Sequence, residues 1–560
     1  MIENKMTITE GKPPLTMRKR IENAGLRLQR QWRIKAVNRQ VQGQARPDAQ
    51  ENPVVFFNAS TRLGGFSQNA AFSLLTAWGL QLAGIPIVHF TCRAGMSRCV
   101  LGINLDDPHE TPPCETCIAQ SKRILEPSQI YWFEKKAETD LGAALAGLSV
   151  EVLSEYEVTI NNPHLAVHGQ TIPFGPMVMP SLRWALRRHH LLDDEPTRFL
   201  LREVILSAWQ ILVSFDTCLR QVSPRAVVVF NGTMFPEAVA RWVAIQHGLR
   251  VITHEVGFLP FSAFFTDGQA TAYPMQIPDD FELAAEQDAR LDAYLSQRFK
   301  GEFTMAGIRF WPQISGLGED FLRHARQFKQ IVPVFTNVIN DTSQIHASSV
   351  FAHMYDWLEQ VVAIVREHPE TLFVIRAHPD EKRRGTRKHS RQPVSEWVTQ
   401  NGVDQYNNVV FVDSNEPLSS YDLIQKSKFV IVYNSSIGLE ASLLGLPVLC
   451  GGKARYTQYP TVFFPQTPEA YHKMASEFLT AEGIEVPAVF LSNARRVLYW
   501  QLFRTALPFG SFISAHPTPG YVQLTRFSWR ELLTSHSTTM RVLVDGILNG
   551  AQFILPEDSD

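Results

Sequence analysis

The sequence predicts an α/β protein of two units, each with a parallel sheet covered by helices. Short apolar runs recur along the chain, and between them apolar residues follow helical spacing. That alternation is typical of parallel strands joined by helical crossovers. At 560 residues the chain is also too long for one ordinary core.

The composition is that of a globular protein with no general affinity for nucleic acid. Apolar residues make up 45% and charged residues 19%, and the formal net charge is −2. Charged residues at Glu3, Lys5 and Glu10 interrupt the first apolar positions, so no signal peptide is predicted. We therefore predict a cytoplasmic protein with reduced cysteines, peripheral to the inner face of the membrane in one interpretation.

Four segments are predicted along the chain. They are a basic N-terminal extension (1–50), a first Rossmann-like unit (51–310), a second Rossmann-like unit (311–490) and C-terminal helices (491–560). Residues 17–46 are rich in Arg and Lys, with Glu22 as their one acid. They predict either a contact with an anionic membrane surface or a solvated basic helix.

The first unit opens with the apolar run 54–57, a loop containing Gly64 and Gly65, and a helix from about residue 68. A glycine loop between strand and helix can approach a ligand, although a plain tight turn explains it equally well. The elements predicted next are a helical segment at 180–222, a strand at 226–230, a helix at 236–247 and a strand at 251–253. The pattern weakens over 301–318, where we place the domain junction.

The second unit repeats the alternation. We predict strands at 331–335, 371–375, 409–412, 429–432, 447–450 and 461–464, and a helix at 350–367. The C-terminal segment is predicted to hold helices at 494–503 and 529–548.

Polar side chains follow two of these strands directly. Arg376 and His378 close the run 371–375, and Pro379 stops it. Ligands of parallel sheets bind beyond the carboxyl ends of the strands. A guanidinium can hold a phosphate with two hydrogen bonds, and an imidazole can donate to a phosphate oxygen or protonate a leaving group. The alternative is a strand end with solvated polar groups.

The second signature, Asn434-Ser435-Ser436, lies between the strand 429–432 and a helix. A helix N-terminus offers free N–H groups to an anion, and two hydroxyls add donors, although serine also favours simple N-capping. Glu440 follows in the first turns of the helix, where a carboxylate can accept from ribose hydroxyls or favour the helix dipole.

These motifs carry a resemblance. Arg376-x-His378-Pro379, then Ser435-Ser436-x-Gly438-x-Glu440 and Gly-x-Pro-Val, resemble the carboxyl-terminal domain of GT-B glycosyltransferases of capsule-polysaccharide biosynthesis. They are similar to motifs of bacterial sialyl-, polysialyl- and Kdo-transferases and of CDP-glycerol glycerophosphotransferases. The resemblance covers about residues 330–465. It implies a GT-B fold in which two Rossmann-like domains, an acceptor domain (51–310) and a nucleotide-donor domain (311–490), face a cleft. It also implies donor-phosphate contacts from His378, Ser435 and Ser436.

The resemblance is weaker for the catalytic base. Sialyltransferase families carry an acidic-acidic-Gly motif in the amino-terminal domain, from which His254-Glu255-Val256-Gly257 departs. Glu255 is our candidate base, with His254 in reserve. Asn337 and Asp341, on the first loop of the second unit, can orient donor or acceptor or form an Asx turn.

Four cysteines cluster in the first unit. Cys92, Cys99, Cys114 and Cys117 suit a structural zinc ion, with unlinked thiols or a redox pair as alternatives.

The sequence therefore predicts a glycosyltransferase. The donor is a sugar activated by a cytidine or uridine nucleotide, the acceptor is a capsule-type polysaccharide or a lipid-linked chain, and catalysis needs no cofactor. Two rivals remain: transfer of a polyol phosphate from a CDP-alcohol, and a non-catalytic scaffold of the same fold in polysaccharide assembly.

Overall fold

The computed structural model describes residues 17–557 except 61–65, 105–106, 137–139, 300–303, 306–307, 310–315, 383–388 and 519. In 17–29, 31, 304–305 and 308–309 the backbone alone is described. The loop glycines at 64 and 65 and most of the predicted junction at 301–318 lie outside the described residues.

The first half of the chain alternates helices and strands. The elements are α1 Met17–Gln44, β1 Val54–Phe57, α2 Gln68–Leu82, β2 Ile87–Cys92, α3 Cys114–Leu125, β3 Gln129–Phe133, α4 Asp140–Leu145, α5 Val150–Ser154, β4 Val158–Thr159, β5 Thr171–Ile172, α6 Phe174–Leu186, α7 Glu195–Val222, β6 Ala226–Phe230, α8 Glu237–Gln246, β7 Arg250–Val256 and β8 Ser262–Thr266.

The second half continues the alternation and then returns to the first unit. Its elements are α9 Ala285–Phe299, β9 Thr304–Met305, β10 Ile308–Arg309, α10 Glu319–Ala325, β11 Gln330–Phe335, α11 Met354–Glu367, β12 Thr371–Arg376, α12 Val394–Gln400, β13 Val409–Val412, α13 Ser420–Gln425, β14 Val430–Val432, α14 Ile437–Leu443, β15 Val448–Cys450, α15 Pro468–Thr480, α16 Ala488–Tyr499, β16 Leu507–Pro508, β17 Ile513–Ala515, β18 Val522–Leu524 and α17 Thr538–Asn549.

The first sheet has the strand order β16-β8-β7-β6-β1-β2-β3. The strands from β7 to β3 run parallel, whereas β8 and β16 are antiparallel to their neighbours. Chain order reverses between β1 and β6, which opens a crevice beyond their carboxyl ends.

The second sheet is fully parallel, in the order β13-β12-β11-β14-β15. Its chain order reverses between β11 and β14, so the loops after these two strands border the second crevice. Apolar cores cover both faces of each sheet, which explains why the strands are continuous apolar runs. The predicted α/β fold with two Rossmann-like units is confirmed.

Several predicted element boundaries differ from the structure. The segment 180–222 is two helices, because the chain turns at Arg187, which takes a left-handed conformation at the end of α6. Residues 461–464 form only one bridge, between Leu449 and Phe463, and the segment 529–548 holds a 3₁₀ turn followed by α17. The last residues also differ from a set of helices, since β16 extends the first sheet and Leu507 and Phe509 are buried in its core.

The basic N-terminal helix packs on the first unit. Val37 and Val41 are buried in its core, and Arg33 Nη1 donates to the carbonyl oxygen of Leu524 at 2.6 Å. Trp32 lies on the same helix with a 63% exposed side chain. The carboxyl-terminal half of α1 is therefore an integral part of the fold.

We expect Val41→Ala to lower the free energy of unfolding by about 2 kcal/mol, because it leaves a cavity in this core. Urea unfolding followed by tryptophan fluorescence measures the change. An unchanged midpoint would show that α1 does not contribute to the stability of the first unit.

Candidate functional site

A cleft of about 660 Å³ lies between the two units. One wall is formed by the loops after β11, β12 and β14, and the opposite wall by residues of the first unit that include Trp184, Arg187 and Tyr273. The carboxyl ends of the second sheet therefore face the first unit across a space large enough for a nucleotide-sized ligand.

Arg376 is the last residue of β12 and lies in this cleft. Its side chain is 4% exposed, and its Nη1 atom has no hydrogen-bond partner among the described residues. Burial lowers the pKa of the guanidinium to about 10, with Glu416 opposing the shift, so the group is still charged at neutral pH. A buried cation with an unused donor is costly unless an anion binds it.

His378 follows at the same strand end and caps the 3₁₀ turn Pro379–Glu381. Its Nδ1 accepts from the backbone N–H of Asp380 at 3.2 Å. The neutral ring with this contact carries its proton on Nε2, which is the form that donates to a phosphate oxygen. Arg376 and His378 line the same cavity.

Asn337 and Asn434 join the loops after β11 and β14. Asn337 Nδ2 donates to Asn434 Oδ1 at 2.9 Å, and Asn434 Nδ2 donates to the carbonyl oxygen of Ser343 at 3.1 Å. Both asparagines are 8% exposed. Their amides fix the shape of the cleft wall, and donor contact by either residue stays a prediction.

Ser435 and Ser436 also line the cleft, at the start of α14. Ser436 is exposed, and its hydroxyl makes no capping hydrogen bond to α14, so the hydroxyl can contact a ligand. Ser435 is buried, and its carbonyl oxygen accepts from the Tyr456 hydroxyl at 2.8 Å.

Glu440 is 6% exposed, and protein donors already engage both of its carboxylate oxygens. Arg298 Nη2 lies 2.6 Å from Oε1, and the Tyr421 hydroxyl donates to Oε2. Burial opposes the charge on Arg298, but the Glu440 carboxylate outweighs it and raises the pKa of the guanidinium. A contact with ribose stays a prediction and needs one of these partners to be displaced.

We expect Glu440→Ala to lower the free energy of unfolding by about 3–5 kcal/mol, because it leaves Arg298 charged and buried. Removing both partners, in the double variant with Arg298→Ala, should cost less than the sum of the single changes. Chemical denaturation of the three variants measures this coupling. Unchanged stability together with weaker nucleotide binding would instead assign Glu440 to the ligand.

Glu255 lies near the end of β7, in the first unit. It accepts from Asn69 Nδ2 at 3.1 Å and from the backbone N–H of Val256 at 2.9 Å. Burial raises the pKa of the carboxyl to about 7, and the negative charge of Asp341 on the second unit adds to the shift. A carboxyl with this pKa can take up and release protons near neutral pH.

Glu237, which the sequence analysis missed, lies in the same part of the fold. Both carboxyls line a second cavity of about 270 Å³, and the Ser60 hydroxyl donates to Glu237 Oε1. Burial raises the pKa of Glu237 to about 7, and Glu255 contributes to the rise. In the sequence, Glu237 is indistinguishable from an ordinary acidic residue in the first turn of a helix. Its position soon after the strand at 226–230 is the one feature of the sequence that could have indicated a site residue.

His254 lies in the wall of the second cavity and is 1% exposed. Its ring stacks on Phe265, and its Nδ1 has no partner among the described residues. Burial lowers the pKa of the imidazole to about 3. Such a ring is a weak base at neutral pH, so the role of reserve base stays a prediction.

The four clustered cysteines border the second cavity. Burial raises the pKa of each thiol, and neighbouring thiols add to the rise for Cys92, Cys99 and Cys117. The fold thus gathers them into one neighbourhood. In the described part of the chain, however, no three of these sulfurs lie within 4.8 Å of one another, and the zinc site stays a prediction.

Arg187 and Arg455 are further cations of the cleft that the sequence did not reveal. Arg455 lies over the rings of Phe258 and Tyr273, at 4.4 and 4.9 Å from their centroids, and so joins the second unit to the first. Both arginines line the cleft with Arg376, which makes its walls rich in positive charge.

No helix in the described ranges is long and apolar enough to cross a membrane.

Residues 317–460 match the family described as capsule polysaccharide biosynthesis protein. Protein FixF of Sinorhizobium fredii (strain NBRC 101917 / NGR234) is 26% identical over 235 residues, which are 41% of this chain and 49% of that protein. The chain thus spans about half the length of the curated relative it matches.

Two similar solved structures are transferases of Thermosulfurimonas dismutans KpsC. The beta Kdo 2,7 transferase has 14% identity and a TM-score of 0.31, with 57% of this chain and 86% of that chain covered. The beta Kdo 2,4 transferase has 13% identity and a TM-score of 0.33, with 54% and 84% covered. At these scores the two alignments carry no information on substrate.

The matched segment 317–460 contains β11, β12 and β14 and most residues of the cleft wall described above. Over residues 317–460 the carboxyl-terminal unit is therefore similar to the capsule polysaccharide biosynthesis family, in a chain with two Rossmann-like units.

Proposed function

We propose that this protein is a glycosyltransferase that uses a nucleotide-activated sugar, with a cytidine or uridine nucleotide, and extends a capsule-type polysaccharide or lipid-linked acceptor. The observation that carries the proposal is the buried Arg376 guanidinium, whose Nη1 has no hydrogen-bond partner within the described ranges, at a strand end that borders the cleft. A nucleotide phosphate would neutralise the charge of the Arg376 guanidinium and accept a hydrogen bond from its Nη1 atom. The family match of the second unit supports a role in capsule synthesis.

The proposed chemistry is divided between the cleft and the adjoining second cavity, which share Trp184 and Thr342 in their walls. Glu255, on the first unit, takes the proton of the acceptor hydroxyl as its oxygen bonds to the anomeric carbon of the donor. The bond from that carbon to the phosphate oxygen breaks, and the nucleotide leaves with one more negative charge. Arg376, His378 and the serine hydroxyls stabilise that charge. Protein cations thus do what a divalent metal does in other transferases, and no cofactor takes part.

Membrane contact through α1 is part of the proposal. Trp32 is exposed on a helix that also exposes Lys35 and Arg39, a combination that suits an anionic surface at the inner face of the membrane.

The test is a thermal-shift panel of CMP, CDP, UDP, GDP and ADP on the purified protein, on His378→Ala and on the matched control His164→Ala, whose side chain is exposed on the first unit. We expect one nucleotide to stabilise the wild type and the control, and His378→Ala to lose that stabilisation. A flat panel on a folded protein would contradict the proposal and favour a scaffold.

Product analysis separates the two enzymatic candidates. A glycosidic bond in the product supports the glycosyltransferase, whereas a phosphodiester would show that the same phosphate site serves a CDP-alcohol.

A further inference from the structure

Three histidines from the two units meet beside the cleft. His189 and His190 follow α6 of the first unit, and His353 precedes α11 of the second. One nitrogen of each ring lies within 4.8 Å of the others. Among the described residues, these histidines form the one group of three His, Cys, Asp or Glu side chains whose ligand atoms all lie within 4.8 Å of one another.

The spacing of the rings suits a metal ion. His190 Nε2 and His353 Nε2 are 3.1 Å apart. Two nitrogens bound tetrahedrally to one zinc ion, each about 2.0–2.1 Å from it, lie roughly 3.3 Å apart. The ring centroids of the three histidines are 4.7–4.9 Å apart, so small side-chain rotations bring the third ring to the same centre.

Neighbouring residues hold the cluster in place across the boundary between the units. Gln392 Oε1 accepts from the backbone N–H groups of His189 and His190 at 3.1 Å. The backbone carbonyl oxygen of Gln392 accepts from the Tyr355 hydroxyl at 2.7 Å. Such hydrogen bonds from surrounding residues fix the positions of metal-binding imidazoles.

The surrounding charges act in opposite directions. The Arg183 guanidinium repels a cation, whereas the Asp356 carboxylate, 3.3 Å from His353 Nε2, attracts one and can complete the ligand set.

We propose that His189, His190 and His353 bind a divalent transition-metal ion of the zinc class, which joins the two units beside the cleft. The side chain of His190 is exposed, so the ion can enter from solvent.

Binding has a cost that limits the affinity. A cation takes the lone pair of both facing Nε2 atoms, so the ring protons move to Nδ1. At that position His190 contacts the Gln392 side-chain nitrogen at 2.8 Å, and His353 accepts from the backbone N–H of Asp356 at 3.2 Å. These contacts weaken when the ion binds, and we expect micromolar rather than nanomolar affinity.

The test uses the full chain after treatment with a chelator, titrated with Zn²⁺ by calorimetry and with Co²⁺ by visible absorption. His353→Asn is the main variant, because asparagine also caps a helix but is a poor ligand of zinc. His190→Gln is the second, and thermal unfolding without metal shows that each is folded. The matched control is the double variant Cys114→Ser and Cys117→Ser, which removes the alternative thiol site.

We expect the wild type and the cysteine variant to bind one Zn²⁺ and to gain thermal stability, and either histidine change to weaken binding at least tenfold. Co²⁺ bound to the cysteine variant should give tetrahedral bands without a thiolate charge-transfer band. Equal binding by His353→Asn and the wild type, or binding that disappears in the cysteine variant, would overturn the proposal.

Discussion

Replacing Arg376 with alanine should weaken nucleotide binding by about 2–5 kcal/mol, which is roughly 30- to 5,000-fold in Kd. The reason is that the phosphate loses a charged partner whose guanidinium is buried in the cleft wall. The nucleotide affinity of Arg376→Lys should lie between those of the wild type and the alanine variant, since lysine keeps the charge but cannot form the paired hydrogen bonds of a guanidinium. Calorimetry with the nucleotide selected by the thermal-shift panel measures the three affinities.

In the absence of nucleotide, Arg376→Ala should not destabilise the protein. Arg376 is a desolvated cation whose Nη1 has no hydrogen-bond partner in the part of the chain that the structure describes, so its removal should leave the stability unchanged or increase it. Arg366→Ala is the matched control, since that arginine contacts Tyr406 at an exposed position on α11. If Arg376→Ala unfolds the protein more easily and keeps its nucleotide affinity, the residue is structural and the phosphate site lies elsewhere.

The second large effect concerns Glu255. Glu255→Gln should lower kcat by roughly 10²–10⁴-fold and leave nucleotide affinity unchanged, because glutamine keeps the shape but cannot take a proton. The pKa of this carboxyl is raised to about 7, and only its deprotonated form acts as a base. The wild-type rate should therefore rise between about pH 6 and pH 8 and then level off, and the residual rate of the variant should lose that dependence.

Glu237→Gln is the matched comparison, because the two carboxyls line the same cavity and Glu237 also has a pKa raised to about 7. We expect it to reduce turnover less than Glu255→Gln does. A larger loss in Glu237→Gln would move the base to that residue, and a wild-type rate that falls with rising pH would exclude both carboxyls as the base.

Much of the fold follows from local sequence. Strands buried on both faces must be continuous apolar runs, so β11, β12 and β14 were visible in the chain, and so were the polar residues directly after them. The segment 461–464, predicted as a strand, pairs with β15 only through the bridge between Leu449 and Phe463. An apolar run indicates burial, but it does not show over how many residues the run pairs with a neighbouring strand.

The sequence by itself determined the two-unit α/β architecture and the strand-end signatures that contain Arg376, His378, Ser435 and Ser436, because these depend on residues adjacent in the chain. Only the tertiary structure decided which side chains already have partners. Glu440 pairs with Arg298 of α9, Glu237 comes to lie near Glu255, and His353 meets His189 and His190 across the boundary between the units. Such pairs join residues far apart in the chain, so their contacts, burial and pKa values exist only once the chain has folded.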